Sequence, residues 1–178
     1  MEEGQRTDVA VLIQEARESH WRHSLRLGTF VPLESEVRDF FWPVSGNLSW
    51  TAAHHWGRQG GLVLWGRLGY MISGRQDTRD TTGYTLHGAH ASLGAGWEWA
   101  LSPQWSLTPA LSLGQLMGAR SQGELLFGSL LQAEAAMMWS DETDYRMGAA
   151  LELGTMVVTF GNETLARPIA SLSFQMEF

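Results

Sequence analysis

Large apolar residues recur at every second position through most of the chain. In 61–73 they are Leu62, Leu64, Leu68, Tyr70 and Ile72, with Arg67, Gly69 and Ser73 in the opposite phase. In 88–101 one phase reads Ala89, Ala91, Leu93, Ala95, Trp97, Trp99, Leu101, and the other Gly88, His90, Ser92, Gly94, Gly96, Glu98. The segments 105–117, 125–139, 145–159 and 166–178 repeat the pattern, as do 21–31 and 47–56 less regularly. A period of two is the signature of a strand with two unlike faces. The pattern predicts eight strands, each about twice the usual globular length.

The links between them alternate in length. "GRQG" (57–60), "LSPQ" (101–104) and "SDET" (140–143) are short and built from turn-forming residues. The intervening links, 33–46, 74–84, 118–124 and 160–166, are longer or less regular. This is the signature of an antiparallel meander with a short-turn end, where both termini lie, and a long-link end.

At the short-turn end the apolar phase finishes strand by strand on Trp21, Trp56, Leu62, Trp99, Trp105, Trp139, Tyr145 and Phe178. A globular core has no reason to collect aromatic residues at one height, whereas a bilayer does, because their rings settle at the headgroup boundary. Trp50, Tyr70 and Phe127 are expected to form a thinner ring at the other end. The final strand alternates Leu172, Phe174, Met176 and Phe178 with Ser173, Gln175 and Glu177.

Taken together, these features resemble the small eight-stranded outer-membrane β-barrels of OmpA/OmpX type, over about residues 20 to 178. The resemblance implies an all-β fold: a closed, antiparallel, up-and-down transmembrane barrel with its termini in the periplasm of a Gram-negative cell. It also implies that Leu172, Phe174, Met176 and Phe178 form the C-terminal signal read by the barrel-assembly machinery. Outer-membrane lipid, including lipopolysaccharide, is the expected surrounding. A protein partner in the membrane or at the cell surface is a further expectation. A soluble lipocalin-like barrel would invert the two faces and carry a charged coat, but the polar phase here holds mainly Gly, Ser and Ala, which suit a narrow lumen.

Composition agrees with this reading. Only 17 % of the 178 residues are charged although 44 % are hydrophobic, and no uninterrupted apolar run reaches the length of a membrane helix. The net charge of −7 offers no field for nucleic acid. With no Cys, disulfides, thiol catalysis and Cys-based metal sites are excluded. The start, Met1-Glu2-Glu3-Gly4, lacks a basic region followed by an apolar one, so a signal peptide is expected to have been removed. Residues 1–20, with Val9, Leu12, Ile13 and Ala16 at helical spacing, are expected to form a short amphipathic helix or arm on the periplasmic side, leaving 21–178 as the barrel.

Candidate chemistry is sparse. His90-Ala91-Ser92 has the His-x-Ser spacing of a lipid A deacylase, which keeps a lipid A-modifying acyltransferase or deacylase open as an alternative. However, its phase points both side chains into the lumen, away from lipid. His54 and His55 are adjacent on a strand and face opposite ways, which argues against a shared metal ion. No catalytic, cofactor or metal residues are therefore assigned, and no cofactor is expected. Phe40, Phe41 and Trp42, in "DFFWPVSG", are candidates for an outer-loop contact.

The inward charges complete the expectation. Counted from the short-turn end, Glu177 should lie between Arg22 and Arg146, and higher up Arg26, Arg67, Glu134 and Glu152 should form a cross-barrel cluster. A lumen so filled favours a structural or interacting role, with a narrow channel for small or apolar solutes as another alternative.

Overall fold

The computed structural model describes residues 19–33, 45–57, 60–75, 84–120, 125–141, 145–160 and 163–178. Eight strands follow in order: β1 (His20–Pro32), β2 (Ser45–His55), β3 (Gly60–Arg75), β4 (Tyr84–Ala100), β5 (Trp105–Arg120), β6 (Leu125–Ser140), β7 (Arg146–Phe160) and β8 (Glu163–Glu177). Each pairs antiparallel with the next, and β8 closes on β1. Closure pairs every strand on both sides, which a sheet in hydrocarbon requires. Among the described residues no helix is long and apolar enough to cross a membrane.

The register fixes the tilt. Followed from partner to partner, Trp21 leads through His54, Leu64, Ala95, Leu111, Ala133, Leu153 and Ala170 back to β1 at Val31, ten residues farther along. Strands in such a sheared barrel tilt by about 40°. Allowing for the lag of slightly more than one residue per strand, Trp21, Trp56, Leu62, Trp99, Trp105, Trp139, Tyr145 and Phe178 fall at one height. Trp105 and Trp139 are direct partners. From Trp105 to Gln115 is ten residues on β5, or about 33 Å of strand and roughly 25 Å along the axis, the height of an outer-membrane apolar belt.

The alternation divides outside from inside. Leu64, Leu111, Leu151 and Leu172 face outward with 42–65 % of their surface exposed, while their neighbours Trp65, Ser112, Glu152 and Ser171 are buried. An apolar exterior around a closed sheet identifies a membrane barrel; in water that surface would aggregate.

Two differences from the sequence reading stand out. β2, β3, β4, β5 and β8 extend beyond the predicted segments at the long-link end, because pairing continues past the level where apolar alternation stops. Trp50 lies in the middle of β2 rather than in an upper ring, and stacks on His23 with centroids 5.4 Å apart. The arm before Ser19 and the aromatic run Phe40-Phe41-Trp42 fall outside the described residues.

Local sequence explains the tightest turn. Between β2 and β3, Gly57, Gly60 and Gly61 have φ of 113°, 132° and 135°, the left-handed region open to glycine. A Cβ on Gly61 would lie 2.0 Å from the Trp56 carbonyl oxygen.

Candidate functional site

The inward phase builds the lumen layer by layer. At the short-turn end, Glu177 Oε1 accepts from Arg22 Nη1 at 3.3 Å and from Arg146 Nη1 at 3.0 Å. Arg146 Nη2 also reaches Glu98 Oε1 and the Ser106 hydroxyl. The second oxygen of Glu98 meets His55 Nδ1 at 3.1 Å. Arg22 Nε donates to His20 Nε2 at 2.9 Å, and the His20 and His55 rings stack 5.3 Å apart. His20, Arg22, Glu98, Ser106 and Arg146 border a cavity of about 120 Å³ at the short-turn end, also lined by Trp105 and Ser140.

Above this network the lumen is mostly apolar around the cluster of Ala53, Val63 and Trp65, with Ser24 and Gln175 buried at the same level. Val63 and Trp65 on β3, Ala110 on β5, Ala136 and Met138 on β6, Ala150 on β7 and Ala53 on β2 are all buried. Trp65 fits because Gly94 stands opposite: a Cβ there would be 2.2 Å from the indole. In turn, the Arg67 guanidinium stacks on Trp65, 4.3 Å from the ring centroid.

The middle of the lumen holds a closed square of charge. Arg26 reaches Glu134 Oε1 at 2.5 Å and Glu152 Oε1 at 3.2 Å, while Arg67 reaches Glu134 Oε2 and Glu152 Oε1, both at 2.6 Å. Gln132 donates to the free oxygen of Glu152 at 3.1 Å, and Arg67 Nε to Thr51 at 3.3 Å. The four charged groups are 3–7 % exposed, so they must neutralise one another. Each network balances two arginines against two glutamates.

A second apolar layer closes the long-link half, where Phe30, Met71, Leu116, Leu126, Leu130, Met156, Val158 and Ile169 form one buried cluster. Between it and the square, His90 faces the lumen and meets Asn47 at 3.1 Å. Ser92 is buried as well, so neither member of the His-x-Ser pair meets lipid. Among the described residues no three acidic or histidine side chains are grouped to hold a metal ion.

Sequence reasoning placed Arg22, Arg146 and Glu177 at one level and Arg26, Arg67, Glu134 and Glu152 at another, and the structure brings each set together. It missed Glu98, His20 and His55 as members of the lower network, although Glu98 shares the inward phase of Gly94 and Gly96. The upper apolar layer was also missed. The lipid-facing histidines His54 and His23 lie within aromatic pairs, His54 between Trp21 and Trp56 and His23 between Trp50 and Phe178.

No family model matches the chain, and no curated protein matches it in sequence. Solved structures do match in fold. The attachment invasion locus protein Ail of Yersinia pestis, solved with the heparin analogue sucrose octasulfate, is similar with a TM-score of 0.54 and 11 % identity over 90 % of this chain and 97 % of Ail. A second Ail structure gives 0.52 and 10 % over the same shares. The N-terminal β-barrel domain of Pseudomonas aeruginosa OprF aligns at 0.49 and 11 %, over 88 % of this chain and 97 % of that domain. At such identity the two Ail structures speak to fold alone. The chain is a small eight-stranded transmembrane β-barrel of the outer-membrane architecture.

Proposed function

We propose that this protein resides in the bacterial outer membrane as a sealed barrel and acts through what it presents to its surroundings, not by passing solute. Its contacts are then the lipids around the belt, a partner protein in the same membrane, or a molecule met by the outer links, where Phe40, Phe41 and Trp42 lie in sequence. The observation that carries this reading is the buried square of Arg26, Arg67, Glu134 and Glu152, with the Ala53, Val63 and Trp65 cluster on one side and the eight-residue apolar cluster on the other. A hydrated ion crossing that stack would have to break buried ion pairs and then enter apolar packing, both costly steps.

Efflux from liposomes tests it. Vesicles bearing the inserted protein should retain potassium and glycine as long as empty vesicles do. Release that scales with the amount of inserted protein would refute the sealed reading and favour a channel. If retention holds, trimming residues 34–44 should remove any cell-surface binding while leaving the barrel inserted.

A further inference from the structure

The outer boundary of the apolar belt is not uniform around the barrel. On β3 to β6 it carries four exposed hydrogen-bonding side chains tied in two cross-strand pairs. The Tyr70 hydroxyl meets His87 Nδ1 at 2.6 Å. Gln115 Nε2 donates to the Ser129 hydroxyl at 3.2 Å, and that hydroxyl returns to Gln115 Oε1 at 3.4 Å. Between the pairs the register sets two alanines: Ala89 partners Tyr70 and Met117, and Ala91 partners Leu68 and Gln115. The result is a shallow floor of methyl groups flanked by the Tyr70 ring on one side and the Gln115–Ser129 pair on the other. On the opposite wall, Thr29 and Thr155 supply the hydroxyls facing lipid near this height, and the exposed Thr159–Thr164 pair, 3.3 Å apart, lies farther out.

From this arrangement we infer that the outer rim of β3–β6 binds the sugar headgroup of a glycolipid in the outer leaflet. The height is right, since Gln115 stands one belt thickness above Trp105. The chemistry is right, because the groups are neutral donors and acceptors with capacity to spare: the second N–H of Gln115, a lone pair on Ser129 and the other ring nitrogen of His87. Sugar hydroxyls match neutral amides and hydroxyls, and an aromatic ring such as Tyr70 offers a face to the C–H side of a pyranose. The width is right as well. Three inter-strand steps from β3 to β6 span roughly 14 Å, nearer to two linked sugar rings than to one glycerophosphate head. Below the floor, Leu93 and Leu113 are 74 % and 66 % exposed and offer an apolar track for acyl chains.

This inference rests on the outer-membrane placement proposed above and is independent of the sealed lumen. The whole protein in phosphatidylcholine nanodiscs would be titrated with deep-rough lipopolysaccharide and, separately, with phosphatidylglycerol, counting bound lipid by native mass spectrometry. The glycolipid should bind roughly tenfold more tightly than phosphatidylglycerol, and Gln115→Leu with Ser129→Ala should erase most of that difference, about what two lost hydrogen bonds cost. Gln115→Asn should keep it, and Thr155→Val on the opposite wall should leave it unchanged. Equal binding of the two lipids, or equal glycolipid binding by wild type and the Gln115→Leu/Ser129→Ala variant, would overturn the inference while leaving the placement intact. A protein that does not enter nanodiscs would overturn both.

Discussion

Arg26 on β1 and Arg67 on β3 bind the same two carboxylates, Glu134 and Glu152, so two like charges stand together in the centre of the barrel. Removing one carboxylate leaves that pair of cations half-compensated. Glu134→Gln should therefore cost about 3–5 kcal/mol, whereas Arg67→Met with Glu134→Met, which removes one charge of each sign, should cost less. Urea unfolding of the inserted barrel, followed by tryptophan fluorescence, measures both. A double variant less stable than the single one would show that the square is not the unit.

The lower network makes a parallel prediction. Glu177 Oε1 is the shared acceptor of Arg22 and Arg146. Glu177→Gln should destabilise the barrel more than Glu177→Gln combined with Arg22→Gln, because the double change removes one charge of each sign and leaves the Arg146–Glu98 pair whole. The same unfolding measurement decides the order.

Trp65 and Gly94 form a volume-matched pair in the lumen. Gly94→Val should force the indole out of its place at a cost of about 1–3 kcal/mol or more. Adding Trp65→Ala should recover part of that loss even though each change alone is harmful, and thermal melts of the four proteins complete the cycle. Strictly additive losses would argue that the two side chains do not share one space.

Much of this architecture was legible from alternation alone. A strand of period two announces its two faces, and ten or more residues of it, repeated eight times, leave little choice but a closed barrel. Counting from the tight turns then put Glu177 level with Arg22 and Arg146, since all three share the inward phase and lie near strand ends. Legibility failed where both phases are apolar. Leu125-Leu126-Phe127 and Met156-Val157-Val158 show no alternation, so Leu126, Met156 and Val158 could not be assigned inward, and the upper plug stayed hidden. Trp65 was obscured for a different reason: tryptophan in such a chain suggests the lipid boundary, and only Gly94, distant in sequence but its direct partner in the sheet, makes room for it inside. Trp50 shows the converse error: β2 is the shortest strand, and Trp50 sits at its middle and not near its outer end.

The C-terminal strand carries a prediction about assembly. Phe178 pairs its backbone with His23 and faces outward at the level of the tryptophan ring. One interfacial side chain contributes only ~2 kcal/mol of burial. Phe178→Asp should therefore lower the amount of barrel inserted in cells far more than it lowers the stability of barrel refolded in vesicles. Comparing membrane-fraction yield with the unfolding midpoint separates the two, and equal yields in cells would remove Phe178 from any assembly signal.

Single-channel recording in planar bilayers tests the central claim, that the lumen is a stack of neutral charge networks and apolar layers with no continuous water path. Wild-type protein, confirmed as inserted, should give no current steps above those of the bare bilayer. Stable, reproducible single-channel currents from the wild type would contradict it.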